Sequence, residues 1–159
     1  MGEQSVFGVK WEREAPLLSG SRWRRKVRAK RILVVDDDKI VLISCKRVLE
    51  AEGYQVVLVS NVEEALELLG RIHFDLMIMD IKMPDRDGLY LLEKIKKNWP
   101  LEKWEEFPIL ATSGYSTLDT INNLIERGAK DFLAKPFTPD ELLSSVKKIL
   151  RKGENHGKR

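Results

Sequence analysis

The chain has 159 residues, a length that favours one domain, and its 43% hydrophobic and 33% charged residues are those of an ordinary globular protein. The longest uninterrupted aliphatic runs are four residues, as in Ile32–Val35, which excludes a membrane-spanning helix of roughly 20 residues; the single Cys45 excludes an internal disulfide and any multi-cysteine metal site, and His73 and His156 are too few and too far apart for a histidine-rich one. The net charge of +3 divides into +5 over residues 1–30, −5 over residues 31–150 and +3 over residues 151–159, so an acidic body lies between two basic ends.

Residues 1–30 hold no sustained period and are interrupted by Gly2, Gly8, Pro16 and Gly20. They read as a flexible basic arm, with a short helix near Trp23 and Val27. The Lys/Arg cluster has no apolar stretch behind it, so a secretory leader is not expected and a reducing, cytoplasmic setting fits. The texture changes at Arg31. Apolar runs follow at Ile32–Val35, Val56–Val59, Leu76–Met79 and Ile109–Ala111, with a weaker one at Phe132–Ala134. They are continuous rather than alternating, as strands buried on both faces of a parallel sheet are.

Helical patterns separate these runs. The first carries Val41, Cys45, Val48 and Leu49 and stops at Gly53. The second opens with Asn61 and Glu64 and stops at Gly70. The third carries Leu91, Leu92 and Ile95. The fourth begins Ser116-x-x-Asp119, carries Leu118, Ile121 and Ile125, and stops at Gly128. The fifth begins Thr138-Pro139-x-Glu141 and carries Leu142, Val146 and Ile149. Five β-α units with right-handed crossovers give an α/β fold, a doubly wound five-stranded parallel sheet with helices on both faces. The body spans 31–151, and 152–159 form a basic C-terminal tail.

Functional groups in an open α/β sheet collect at the carboxyl ends of its strands. Here the first strand ends in Asp36-Asp37-Asp38, the third in Asp80, the fourth in Thr112-Ser113-Gly114 and the fifth in Lys135-Pro136. Carboxylates, a hydroxyl and an ammonium therefore converge on one edge. The run Ile32–Asp38, Met79-Asp80-Ile81-Lys82-Met83-Pro84 with Asp87-Gly88, Ser113-Gly114 and Lys135-Pro136-Phe137 together resemble a response regulator receiver domain, the chemotaxis-regulator-like phosphoacceptor domain of two-component systems. The intervals also fit that family: 44 positions from Asp36 to Asp80, 33 on to Ser113 and 22 on to Lys135.

The resemblance implies a flavodoxin-like (βα)5 sheet in the order 2-1-3-4-5. It implies Asp80 as phosphoacceptor, with Ser113 and Lys135 contacting the phosphoryl group. Mg²⁺ would be held by Asp36, Asp37, Asp80 and the backbone carbonyl of Lys82. Ser113 and Phe132 would be the switch residues, and the bond before Pro136 would be cis. Phe132 has no hydroxyl, so its inward state would rest on burial alone. The physics agrees with those residue types: three crowded carboxylates need a hard cation, and two charges from Mg²⁺ with one from Lys135 balance them. Lys82 and Tyr115 occupy places where the family varies residues that tune phosphoryl lifetime, and the small Gly114 leaves the mouth open.

The expected activity is that of a stand-alone phosphorylation switch rather than an enzyme. A sensor histidine kinase or phosphotransfer protein would donate the phosphoryl group. An output protein would be bound through the fourth helix, fifth strand and fifth helix, because no DNA-binding or catalytic domain follows the fifth helix. A competing resemblance is Asp36-x-Asp38 as the nucleophile and acid of haloacid-dehalogenase-type phosphatases. That family needs a late acidic pair, and after Lys135 only Asp140, Glu141 and Glu154 remain. Plainer readings stand beside these: Asp38 as a helix N-cap, Cys45 as a buried small hydrophobe, His73 as a surface residue. The arm, with seven Lys/Arg among residues 22–31, reads first as a solvated tail and second as a contact for nucleic acid, an anionic membrane surface or an acidic partner.

Overall fold

A computed structural model describes residues 3–6, 9–13, 23–25, 28–114 and 117–156. Three short strands precede the body: β1 (Glu3–Val6), β2 (Val9–Arg13) and β3 (Trp23–Arg25), paired antiparallel in that order. The arm therefore carries strands where the sequence shows no sustained period. Trp23 lies in β3 rather than in a short helix, and Val27 lies outside the described residues. Strands of three to five residues are too short to sustain a period.

The body holds five parallel strands, β4 (Arg31–Val35), β5 (Gln55–Val59), β6 (Leu76–Asp80), β7 (Ile109–Ser113) and β8 (Asp131–Ala134), in the order β5-β4-β6-β7-β8. Counting body strands alone, this is the 2-1-3-4-5 order of a flavodoxin-like sheet. Alternate residues of each strand bury on opposite faces. Leu33, Val35, Met77, Met79, Ile109 and Ala111 enter one core, and Ile32, Val34, Leu76, Ile78 and Leu110 enter the other. Continuous apolar runs are thus what a sheet covered on both sides requires.

Helices α1 (Lys39–Ala51) and α6 (Pro139–His156) cover the second core through Leu42, Cys45, Leu49, Leu142, Val146 and Ile149. Helices α2 (Val62–Arg71), α3 (Gly88–Asn98), α4 (Leu101–Glu106) and α5 (Leu118–Glu126) cover the first, with Ala65, Leu69, Leu91, Ile95, Trp104 and Leu124 inward. Side-chain caps start most of them. Asp38 accepts from the Ile40 amide, Asn61 from Glu64, Asp87 from Tyr90 and Thr117 from Thr120.

Three boundaries differ from the sequence reading. Helix α2 runs through Gly70 to Arg71, because its last turn is still held by the Ile72 amide on the Leu68 carbonyl. Helix α5 is capped by Thr117, while Ser116 lies outside the described residues. Helix α6 runs beyond residue 151 to His156, so the expected tail begins as helix. Among the described residues no helix is long and apolar enough to cross a membrane.

Helix α4 was not foreseen; six residues after Pro100 are too few for a stripe. Its Trp104 is buried and faces Gly128, the residue that ends α5. Gly128 has φ +115°, and a Cβ there would lie 2.6 Å from the Trp104 indole. Backbone strain and steric contact therefore act at one position. Gly128→Ala should lower unfolding free energy by about 1–3 kcal/mol in urea denaturation; an unchanged midpoint would contradict this packing.

Candidate functional site

Register brings the first two carboxylates together. Val35 pairs with Met79, so Asp36 and Asp80 follow side by side at the carboxyl ends of β4 and β6. Both are buried, at 2% and 5% exposure. The Asp36 amide extends the sheet by donating to the Val59 carbonyl at 3.2 Å, and its Oδ1 accepts from the Asp38 amide at 2.9 Å, turning the chain into α1. Asp37 is exposed beside them. One oxygen from each of Asp36, Asp37 and Asp80 lies within 4.8 Å of the others.

Lys135 arrives from two strands beyond β6. Its amide donates to the Ser113 carbonyl at 2.9 Å, continuing the β7–β8 ladder, and the Lys135–Pro136 bond is cis. Neighbouring strands are ~4.8 Å apart, so the side chain must cross about 9.6 Å. It does: Nζ lies 2.6 Å from Asp36 Oδ2 and 3.2 Å from Asp80 Oδ2. Ser113 is buried at the end of β7, and Asp80 pairs with Thr112 just before it. The structure thus gathers Asp36, Asp37, Asp80 and Lys135 by direct proximity and sets Ser113 on the adjoining strand.

The remaining predicted residues are more peripheral. Lys82 is exposed, and its amide donates to Asp80 Oδ1 at 3.3 Å. Phe132 is half-buried against the core, paired with Ala111. Gly114 is exposed with open space around it. Tyr115 lies outside the described residues. Asp38 caps α1 through the Ile40 amide at 2.9 Å. The Asp38 side chain is thus engaged at the start of α1, as the plainer N-cap reading expects.

Two roles escaped the sequence reading, which named Gly88 only as part of a motif. Gly88 donates to the Ile81 carbonyl at 2.9 Å, and a Cβ on it would lie 2.7 Å from the Asp80 carbonyl oxygen. Only glycine lets α3 start so close to the acidic strand end; the Asp87-Gly88 pair was its signal. Arg86 pairs with Glu63 at 3.0 Å and donates to the Tyr90 hydroxyl at 3.0 Å, holding the loop after β6 against α2 and α3. No local pattern links residues 63 and 86.

Charge and burial compete here. Burial, helped by the Asp36 charge, raises the Asp80 carboxyl above the usual range despite the Lys135 ammonium and the Lys82 amide. Burial opposes the charge on Lys135, but its hydrogen bond to Asp36 and the charges of both aspartates outweigh it and raise the amine. Burial, with the Asp36 charge, also pushes the Cys45 thiol up to about 11, so it stays protonated at neutral pH. One ammonium thus faces three carboxylates. Oxygen-only donors with residual negative charge suit a hard divalent cation such as Mg²⁺.

The family description "response regulator receiver domain" matches residues 32–147. Among curated relatives, the response regulator MprA of Mycobacterium leprae is 34% identical over 122 residues, covering 77% of this chain and 51% of its own. The transcriptional regulatory protein PmrA of Pectobacterium parmentieri is 33% identical over 124 residues, with 78% and 54% covered. The chain therefore spans about half the length of the curated relatives it matches. Among solved structures, a CheY-like response regulator receiver domain protein from Methanospirillum hungatei is 36% identical with TM-score 0.73, covering 81% of this chain and 99% of that one. NtrX from Brucella abortus, solved with ADP, is 31% identical with TM-score 0.72, covering 81% and 29%.

The raised Asp80 carboxyl fixes a pH dependence. The folded state holds the Asp80 proton more tightly than the unfolded chain. Ionisation therefore removes stability as pH rises from the unfolded carboxyl value, ~3.9, through the folded one. In chelator-treated protein, Asp80→Asn should be more stable than wild type at neutral pH, with the difference vanishing in acid; urea titrations at both ends check the sign.

Proposed function

The chain belongs to the response regulator receiver domain family, and on that premise we propose that it accepts a phosphoryl group on Asp80 from a phosphohistidine and switches conformation to control a partner protein. The contact of Lys135 with both Asp36 and Asp80 carries this reading. It puts a fixed positive charge where a dianionic group would arrive between buried carboxylates.

Receiver domains of this family are phosphoacceptor switches that pass signals in two-component systems. The donor proposed here is a sensor histidine kinase or phosphotransfer protein, in the cytoplasm. An Asp80 oxygen attacks phosphorus as the phosphorus–nitrogen bond to the donor histidine breaks, and the imidazole leaves with that electron pair. Such a transfer needs in-line positioning and charge neutralisation more than covalent help. Lys135 offers its ammonium to one phosphoryl oxygen, and the Ser113 hydroxyl donates to another from the adjoining strand. Asp36, Asp37, Asp80 and the backbone carbonyl of Lys82 would hold Mg²⁺. When bound, the ion supplies two positive charges beside the transferred group and orients its oxygens.

Switching follows from the new charge. Ser113 is drawn toward the phosphoryl oxygens and takes the loop after β7 with it. Phe132, half-buried on the neighbouring strand, moves further inward. The face formed by α5, β8 and α6 then changes shape for an output protein. The proposal includes action as a self-contained switch, favoured by the match over residues 32–147, which hold every residue of the site. Lys82 and Tyr115 tune the lifetime of the acyl phosphate, which is lost by hydrolysis on the protein rather than through turnover of a substrate.

With Mg²⁺ and acetyl phosphate, intact-protein mass spectrometry should show one phosphoryl adduct, located at Asp80. Chelator or Asp80→Asn should abolish it, and Lys135→Ala should reduce it at least tenfold. An adduct that survives Asp80→Asn would refute the proposal.

A further inference from the structure

Asp36, Asp37 and Asp80 sit at or just past strand ends, but the Lys82 carbonyl belongs to the loop between β6 and α3. The Gly88 amide closes the base of that loop on the Ile81 carbonyl at 2.9 Å. Within it the Arg86 amide donates to the Pro84 carbonyl at 2.8 Å, across Asp85 with φ +67°. A three-residue turn with a positive φ at its centre has the form of the rare, strained γ-turn, and such strain persists only where the surroundings over-determine it.

Arg86 is placed to do so. Its guanidinium pairs with Glu63 at 3.0 Å in the first turn of α2, donates to the Tyr90 hydroxyl at 3.0 Å, and lies 4.8 Å from the centre of the Tyr90 ring in α3. Glu63 in turn is close in the chain to the other half of the site. It follows β5 by a short capped turn, and Val59 at the end of β5 accepts the Asp36 amide at 3.2 Å. Arg86 therefore ties the loop bearing Lys82 to the segment that follows Asp36's neighbouring strand. Both partners of the ion pair are exposed, at 51% and 60%, so the pair adds little to global stability.

We infer that Arg86 is a positioning residue for the cation site: through Glu63 and Tyr90 it holds the strained turn, and so keeps the Lys82 carbonyl ordered before an ion arrives. The inference rests on the phosphoacceptor reading of the site. An ion that meets a placed ligand need not order the loop, and groups behind the ligands govern metal affinity in this way. Sign separates positioning from charge. Arg86 is a cation near an acidic pocket, so its loss through charge alone would tighten Mg²⁺ binding. Loss of positioning weakens it.

Calorimetry of Mg²⁺ binding to the unphosphorylated whole chain tests this. R86A should weaken binding by about threefold or more, whereas R86K should stay near wild type. E63Q should also weaken binding, but should add nothing in the R86A background, and the exchange R86E/E63R should restore affinity. In chelator-treated protein, R86A should speed hydrogen exchange of the residue 82 and 86 amides, while Met79 in β6 and the urea midpoint keep their wild-type values. Unchanged or tighter Mg²⁺ binding by R86A, additive losses from R86A and E63Q, or unchanged exchange at residues 82 and 86 would overturn the inference and leave phosphoryl acceptance standing. Wild type that binds no Mg²⁺ would defeat the phosphoacceptor reading and the inference together.

Discussion

The contact of Lys135 with both Asp36 and Asp80 is the constraint on which the rest of the site depends, because it reconciles burial with charge. Two adjacent parallel strands must end at the same level, and their next residues are both aspartates. Burial disfavours the ionised form of Asp80, and the charge of Asp36 beside it adds repulsion. The Asp38 and Lys82 amides, just past the same strands, donate to the two carboxylates but carry no charge to balance them. Relief comes from a long side chain launched two strands beyond β6, and only lysine or arginine has that reach. A compact ammonium can sit against two carboxylates at once, at 2.6 and 3.2 Å.

That arrangement explains the surrounding architecture. The 2-1-3-4-5 order puts β4 beside β6 and keeps β7 next to the acceptor strand, so a short hydroxyl belongs at Ser113 and a long amine at Lys135. Gly88 lets the loop after β6 close tightly beneath Asp80, and Arg86 holds that loop to α2 and α3. Aspartates crowd the carboxyl ends of the strands, while at the opposite end Arg28, Lys30, Lys147 and Arg151 share a cleft with Glu52 and Glu154, and Arg28 and Lys147 are paired to Asp75 and Glu52.

The fold was legible because both sheet faces are buried: Ile32–Val35 and Leu76–Met79 are apolar at every position, and no helix pattern competes over so few residues. The acidic edge was legible because strand ends must converge in a parallel sheet, so Asp36, Asp80, Ser113 and Lys135 could be placed from chain order. Family resemblance then supplied the roles. Other features left no local trace. Helix α4 is too short for a stripe and depends on Trp104 reaching Gly128 across the chain. The Arg86–Glu63 pair joins distant segments. The arm strands are only three to five residues long, so their alternation fell below what a period can establish.

The most direct test is the Mg²⁺ affinity of Lys135→Met against wild type, measured by calorimetry at neutral pH and fixed ionic strength. If the ammonium and the divalent ion share the task of neutralising the same carboxylates, loss of the amine leaves a more negative pocket and Mg²⁺ binds more tightly. Unchanged or weaker binding would contradict the shared-charge arrangement on which this reading of the site rests.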